Sequence, residues 1–137
     1  MIKLVPIFAS LLIGTAFAQT PQDCYEAEMT QADMNRCAGE KNREMKALFA
    51  RLIVDLKMLL PEEPIKHLLA SQKYWEQLVR EDCSIEAWYL DGGSARSMII
   101  AGCYTEHTRI RIKMLAPLLC HPMKLTCDDK DKYEQNL

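Results

Sequence analysis

The sequence predicts an all-α fold: an antiparallel three-helix bundle stapled by disulfides, with a short irregular C-terminal tail. Three observations carry this expectation. Apolar residues recur at three- and four-residue spacing through three long segments. Pro61, Pro64 and the pair Gly92-Gly93 fall between those segments, where helix breakers belong. Six cysteines, Cys24, Cys37, Cys83, Cys103, Cys120 and Cys127, stand in a chain whose start reads as an export signal, and an even number in an exported chain reads as three disulfides.

The export signal comes first in the chain. Lys3 supplies a basic start, Leu4 to Ile13 an apolar run, and Ala16-Phe17-Ala18 a small-x-small cleavage site. Residues 1–18 are therefore expected to be a signal peptide, 19–119 a helical domain, and 120–137 a C-terminal loop and tail. The apolar run is too short to cross a bilayer, and no later stretch approaches the roughly 20 apolar residues that crossing requires. A periplasmic or secreted product without an integral membrane segment follows. The formal net charge is −2, and cleavage before Gln19 removes Lys3 and makes it more negative. That balance argues against a nucleic-acid partner, which would need a basic surface.

In the first segment, Thr30-Gln31-Ala32-Asp33 reads as a capping box, with Thr30 as N-cap and Asp33 in the place of the usual glutamate. The helix it opens carries Met34, Cys37, Met45, Leu48, Leu52, Leu56 and Leu59 on one face, interrupted by Lys41. Pro61-Glu62-Glu63-Pro64 ends it and begins the next, since proline suits a first helical turn and acidic residues suit the positive helix end. The second helix presents Ile65, Leu68, Leu69, Gln72, Trp75, Val79, Cys83, Ala87 and Leu90 along one stripe. Tyr74, Leu78, Ile85 and Trp88 are expected to broaden that stripe inward. Gly92-Gly93 stops it, and Ser94 is placed to cap a third helix running through Met98, Ala101, Thr105, Thr108, Ile112 and Leu115. Pro117 limits that helix, and from Cys120 onward periodicity fades into a loop and a mobile tail.

Short connections make neighbouring helices antiparallel, so Thr30, Leu90 and Ser94 share one end of the bundle. Cys37, Cys83 and Cys103 then lie a few residues inward from that end, with Cys24 on the lead-in. Cys24–Cys37 and Cys83–Cys103 are the favoured pairs, with crossed pairings sterically open.

Several separated motifs occur in one order: Thr30-Gln31-Ala32-Asp33-Met34-Asn35-Arg36-Cys37-Ala38, then Gln72 with Trp75 and Cys83, then Gly92-Gly93-Ser94, then Cys103 with Thr108 and Arg111. Together they resemble the LprI-like lysozyme-inhibitor family of small secreted bacterial helical domains, over roughly residues 24–115. The chain departs from the family pattern at Phe49, Leu52 and Leu78-Val79-Arg80, where the family often carries Asn, Tyr, and an aromatic followed by Arg-Asp. The resemblance implies a protein partner, lysozyme, and gives Thr30, Gln31, Met34, Asn35, Gln72, Trp75, Thr108 and Arg111 as family motif positions.

No acid, base and nucleophile converge, so no catalytic residue, cofactor or metal is expected. Gly92-Gly93-Ser94 lacks the glycine that should follow the serine of a nucleophile elbow, and no strand precedes it. His67, His107 and His121 are scattered, and Cys120, His121 and Cys127 lack an evident fourth zinc ligand. Gln72, Trp75, Thr108 and Arg111 are expected to form a half-buried cluster in which Gln72 and Thr108 exchange hydrogen bonds and Arg111 snorkels outward. The candidate partner-binding residues are Asp91, Gly92, Gly93, Ser94 and Arg96, a turn offering hydroxyl, guanidinium and free N–H donors. The expected function is an exported protein-binding domain that inhibits lysozyme by occluding its cleft. The alternatives are a periplasmic interaction module or immunity protein for another partner, and a small-ligand carrier using a pocket near Trp75.

Overall fold

A computed structural model describes residues 29–120 and 128–137. The expected signal peptide, the Cys24–Cys37 pairing and the bridge from Cys127 involve positions outside the described residues. Among the described residues there is no strand: the elements are helices α1 (Gln31–Leu59), α2 (Glu62–Glu86), α3 (Arg96–Leu115) and α4 (Asp128–Glu134), with 3-10 turns at Trp88–Leu90 after α2 and Ala116–Cys120 after α3.

Helix α1 starts where its capping box places it. The Thr30 hydroxyl accepts from the Asp33 amide at 3.2 Å, and the Asp33 carboxylate accepts from the Thr30 amide at 3.3 Å. Hydrogen bonds from Thr30 and then Arg36 hold the Asp33 carboxyl below the usual carboxylate range. A depressed carboxyl stabilises the fold above its unfolded-state value, and that contribution is lost as pH falls through the folded-state value. Replacing the cap, Thr30→Ala, should lower the unfolding free energy by about 1 kcal/mol in a urea titration. An unchanged midpoint would mean that the cap is idle.

The proline pair sets the next boundary. Pro61 is the N-cap of α2, Pro64 lies in its first turn, and Lys66 pairs with both Glu62 and Glu63 at 2.9 Å. Pro117 acts as expected on α3, which gives way to 3-10 geometry from Ala116.

Helix α3 is the central element, packing on both α1 and α2, while α1 and α2 touch each other little. Asn35 reaches Ser94 near the start of both α1 and α3, and Leu56 joins Leu115 in one core cluster near their ends, so these two helices run in the same direction. Helix α2 runs against α3: Cys83 bonds Cys103, and Ser71, earlier in α2, meets Arg111, later in α3. The larger core lies at the end away from the Asp91 turn and comprises Leu48, Leu52, Leu56, Leu68, Ile112, Leu115, Ala116, Leu119 and Tyr133. Toward the turn the apolar clusters are smaller, Ala38 with Met98 and Ala101, and Val79 with the Cys83 and Cys103 bridge. That end depends on the staple.

Two expectations are corrected. The C-terminal tail is not irregular: residues 128–134 form α4, and Tyr133 is fully buried in the main core. Its hydroxyl donates to Asp55 Oδ2 at 2.5 Å, and Lys132 lies 3.4 Å from the same oxygen. A seven-residue charged helix anchored by one aromatic shows no apolar periodicity, so packing and not pattern fixes it. The second correction concerns α2. Tyr74, Leu78, Ile85 and Trp88 do not broaden the inner stripe but are exposed, because α2 has α3 as its main neighbour and α1 covers it only locally.

Candidate functional site

The site grows from the way α2 ends. Ala87 donates to the Cys83 carbonyl as the helix closes, and the chain tightens into the 3-10 turn Trp88–Leu90. Gly92 then takes a positive φ of 74°, a conformation glycine adopts without steric cost. Gly93 donates to the Leu90 carbonyl at 2.8 Å, and a Cβ at this position would lie 3.1 Å from that same oxygen. Both glycines therefore serve the turn: one for conformation, the other for close approach.

Ser94 does not cap α3. The turn continues through residues 94 and 95, Ala95 is the N-cap, and no side chain caps the helix. The Ser94 carbonyl instead accepts from Asn35 Nδ2 at 2.9 Å. Asn35 is itself held by Gln31, whose Nε2 donates to Asn35 Oδ1 at 3.0 Å, while Met34 packs on Met98 and Ala101 beneath. The motif Thr30, Gln31, Met34 and Asn35 thus starts α1 and ties it to the turn. On the other side, the Cys83–Cys103 disulfide, with Cα atoms 5.6 Å apart, ties α2 to α3. Cys37 is also disulfide-bonded.

The resulting tip presents Asp91, Gly92, Gly93 and Ser94 to solvent. Trp88 and Tyr89 stand beside them, 73% and 62% exposed, with their rings in edge contact. Tyr74, Leu78 and Ile85 continue this apolar surface along α2, the spacing placing them on one helical face. Sequence periodicity assigned these residues inward; the signal that marked them was their surplus, since one helix stripe already filled the α3 contact.

Arg96 turns toward a groove between α1 and α3. Its Nε lies 3.6 Å from Asp91 Oδ1, beyond hydrogen-bond distance. The groove, of about 460 Å³, is lined by Asn42 and Lys46 from α1, by Gly93 of the turn, and by Arg96, Ser97 and Tyr104 from α3. The Lys46 ammonium lies 4.9 Å from the centre of the Tyr104 ring, within cation–π range.

Gln72, Trp75, Thr108 and Arg111 meet between the helices, but not in the expected hydrogen-bonding pattern. Thr108 donates to the Tyr104 carbonyl of its own helix at 2.7 Å, a bond that occupies the hydroxyl. Gln72 Nε2 reaches Glu76 at 3.1 Å. The expected Gln72–Thr108 exchange is therefore not made. Arg111 does not snorkel outward either: it is 9% exposed, donates to Ser71 Oγ at 2.9 Å, and lies 5.8 Å from the Trp75 ring. Burial lowers its pKa, but a guanidinium remains charged in a protein. Phe49 packs its ring 5.6 Å from Trp75 and occupies the space beside it. This cluster ties the helices together.

Cys83, Cys103 and His107 bring three ligand-type atoms close together, but the two sulfurs are bonded to each other and offer no thiolate to a metal. His107 Nε2 instead faces Asp82 at 3.8 Å. Among the described residues, no helix is long and apolar enough to cross a membrane.

Comparison with known proteins places these features in context. The family model described as "Lysozyme inhibitor LprI" matches residues 22–115. An uncharacterized protein of Rhizobium meliloti (strain 1021) is 28% identical over 130 residues, covering 83% of this chain and 93% of the relative. No solved structure matches the chain.

Proposed function

The chain belongs to the LprI lysozyme-inhibitor family, and from that premise we propose that it is an exported, non-enzymatic protein that inhibits lysozyme by occluding the enzyme's cleft. The tip carries this reading. It is braced to α2 through Cys83 and to α1 through Asn35, and it exposes Trp88, Tyr89, Asp91 and Ser94 together.

Lysozyme cleaves its substrate with two carboxyl groups in a cleft. A convex tip carrying the Ser94 hydroxyl and the Arg96 guanidinium meets such a cleft with complementary donors. Trp88 and Tyr89 supply the apolar area and rigidity that binding hot spots favour. Bracing from both sides lowers the ordering cost of association, because the turn is already fixed in the free protein.

A carrier role near Trp75 finds less support, since Phe49 and Arg111 both pack against its ring. An interaction module for a different protein would use the same exposed tip, so partner identity is decided by measurement. Calorimetry with purified lysozyme should give a 1:1 complex, weakened roughly 10- to 100-fold by Trp88→Ala with Tyr89→Ala. The Ser94→Ala, Arg96→Ala pair should also weaken it. Wild-type affinity in both pairs would reduce the tip to a connecting turn.

A further inference from the structure

The outer face of α2 lies open toward its C-terminal end. Tyr74, Leu78, Ile85 and Trp88 are each more than half exposed. They follow one another at four, seven and three residues, which keeps them on one side of a helix. With Tyr89 beside them they leave roughly 600 Å² of side chain uncovered, at the upper end for an apolar patch on a monomer. That approaches the ~800 Å² that one partner contributes to a stable interface.

The charges on this face specify what covers it. Glu81, exposed, sits on the same stripe between Leu78 and Ile85. From Glu81 to Asp91 the chain carries four acids, Glu81, Asp82, Glu86 and Asp91, and no lysine or arginine. Asp82 faces His107 and Asp91 lies near Arg96, while Glu81 and Glu86 make no ion pair among the described residues. The last turn of α2 has no basic residue, so these acids gather at the negative end of the helix and oppose its dipole. Lys73 and Arg80 stand about a third of a turn off the stripe. A local arrangement that costs stability without an internal offset marks a place where function has been favoured, and a cation brought to this face relieves both the acids and the helix end.

Other occupants fit less well. Glu81 is the midpoint of the stripe from Tyr74 to Trp88, so a two-fold pairing of two copies along its whole length sets Glu81 against its own copy, and like charges in an interface are costly. An anionic lipid surface meets the same repulsion. We infer that the outer face of α2 docks a cationic protein partner, which covers Tyr74, Leu78, Ile85 and Trp88 with apolar side chains and sets an arginine or lysine against Glu81. The stem of an arginine lies over Leu78 and Ile85 while its guanidinium meets the carboxylate. The face runs into the tip, so both belong to one contact. The partner's identity rests on the lysozyme-binding reading; the chemistry of the face does not.

The test has two independent arms on the full mature chain. In the first, isotope-labelled protein is titrated with a short helical peptide carrying leucines at three- and four-residue spacing flanked by arginines, and with its counterpart in which glutamine replaces every arginine. Saturable NMR shifts are expected at the amides of Leu78, Glu81 and Ile85 and at the Trp88 indole. The Trp75 indole, packed against Phe49 and Arg111, should stay in place. The glutamine peptide should bind roughly tenfold more weakly, and Glu81→Lys should weaken the arginine peptide to a similar degree. In the second arm, Glu81→Lys and Ile85→Ala should each weaken lysozyme binding roughly tenfold. Glu44→Lys, the same charge change at an exposed site on α1, should alter it by roughly twofold at most. None of the three should lower the thermal melt, since each side chain is exposed.

Arginine-selective shifts together with unchanged lysozyme binding in Glu81→Lys and Ile85→Ala support the face as a cation-reading surface and remove lysozyme as its partner. The proposal is overturned if the α2 resonances ignore the arginine peptide, or if the glutamine peptide binds equally well, because the face then reads apolar area alone. It is also overturned if those resonances move with protein concentration and sedimentation shows a dimer, since a second copy is then the occupant.

Discussion

Replacing Tyr133 with alanine is expected to remove about 3–5 kcal/mol of stability, the range for deleting a large buried aromatic. The ring is fully buried among Leu48, Leu52, Leu56 and Leu119, residues from two other elements. Removing it opens a cavity where α4 meets the core and leaves Asp55 Oδ2 without the phenol donor. Small domains have only about 5–15 kcal/mol in total, so this one residue carries a substantial share. Tyr133→Phe keeps the ring and loses the hydroxyl bond, and should cost about 1.5–3 kcal/mol, the range for hydrogen bonds to charged groups. Urea unfolding of the two variants separates packing from hydrogen bonding. If Tyr133→Ala unfolds at the wild-type midpoint, α4 is not docked in solution and the main core closes without it.

The second large effect concerns the opposite end. The Cys83–Cys103 bridge spans a sequence separation of 20, for which constraint of the unfolded chain corresponds to about 3 kcal/mol. The apolar clusters on the tip side are small, so little other burial compensates for its loss. The Cys83→Ala, Cys103→Ala pair should therefore lose about 3 kcal/mol in urea unfolding, and its amides from Trp88 to Arg96 should exchange faster with solvent. Partner affinity should fall as well, because the tip would then have to be ordered on binding. Unchanged stability with unchanged exchange would show that Asn35 and the packing of α2 on α3 hold the tip without the bridge.

Most of the helical frame was legible because its signals are local. Thr30 with Asp33, the Pro61 to Pro64 pair and the Gly92-Gly93 turn each fix an element boundary through backbone geometry within a few residues. The Cys83–Cys103 pairing was favoured, with crossed pairings open, because the two cysteines lie eight residues before Asp91 and ten after Gly93. Features that depend on the relative placement of helices were not legible. Periodicity showed that α2 has an apolar stripe, but not that α1 would leave Tyr74, Leu78 and Ile85 uncovered. Tyr133 lies in a charged segment whose burial is decided by the core it meets.

The candidate site was legible to the same extent. Asp91 to Arg96 was readable as a tip, but Ser94 lost its expected capping role when the turn ran one residue further. Asn35 stood out as a family motif position, and its bond to the Ser94 carbonyl gives that position a physical reason. The groove was invisible because Lys46 and Asn42 lie about fifty residues from Gly93 and Arg96 in the chain and meet only when α1 and α3 run side by side. Arg111 illustrates the converse: its position was readable, but its orientation depended on the Trp75 face and Ser71.

The central claim, occlusion of lysozyme's cleft by the tip, is tested most directly by lysis of bacterial cell walls in the presence of the purified mature protein. Lysis should slow in proportion to occupancy as the protein approaches and exceeds the enzyme's concentration, and the Trp88→Ala, Tyr89→Ala pair should restore it. Lysis at the uninhibited rate under a large molar excess of correctly folded, oxidised protein would contradict the account.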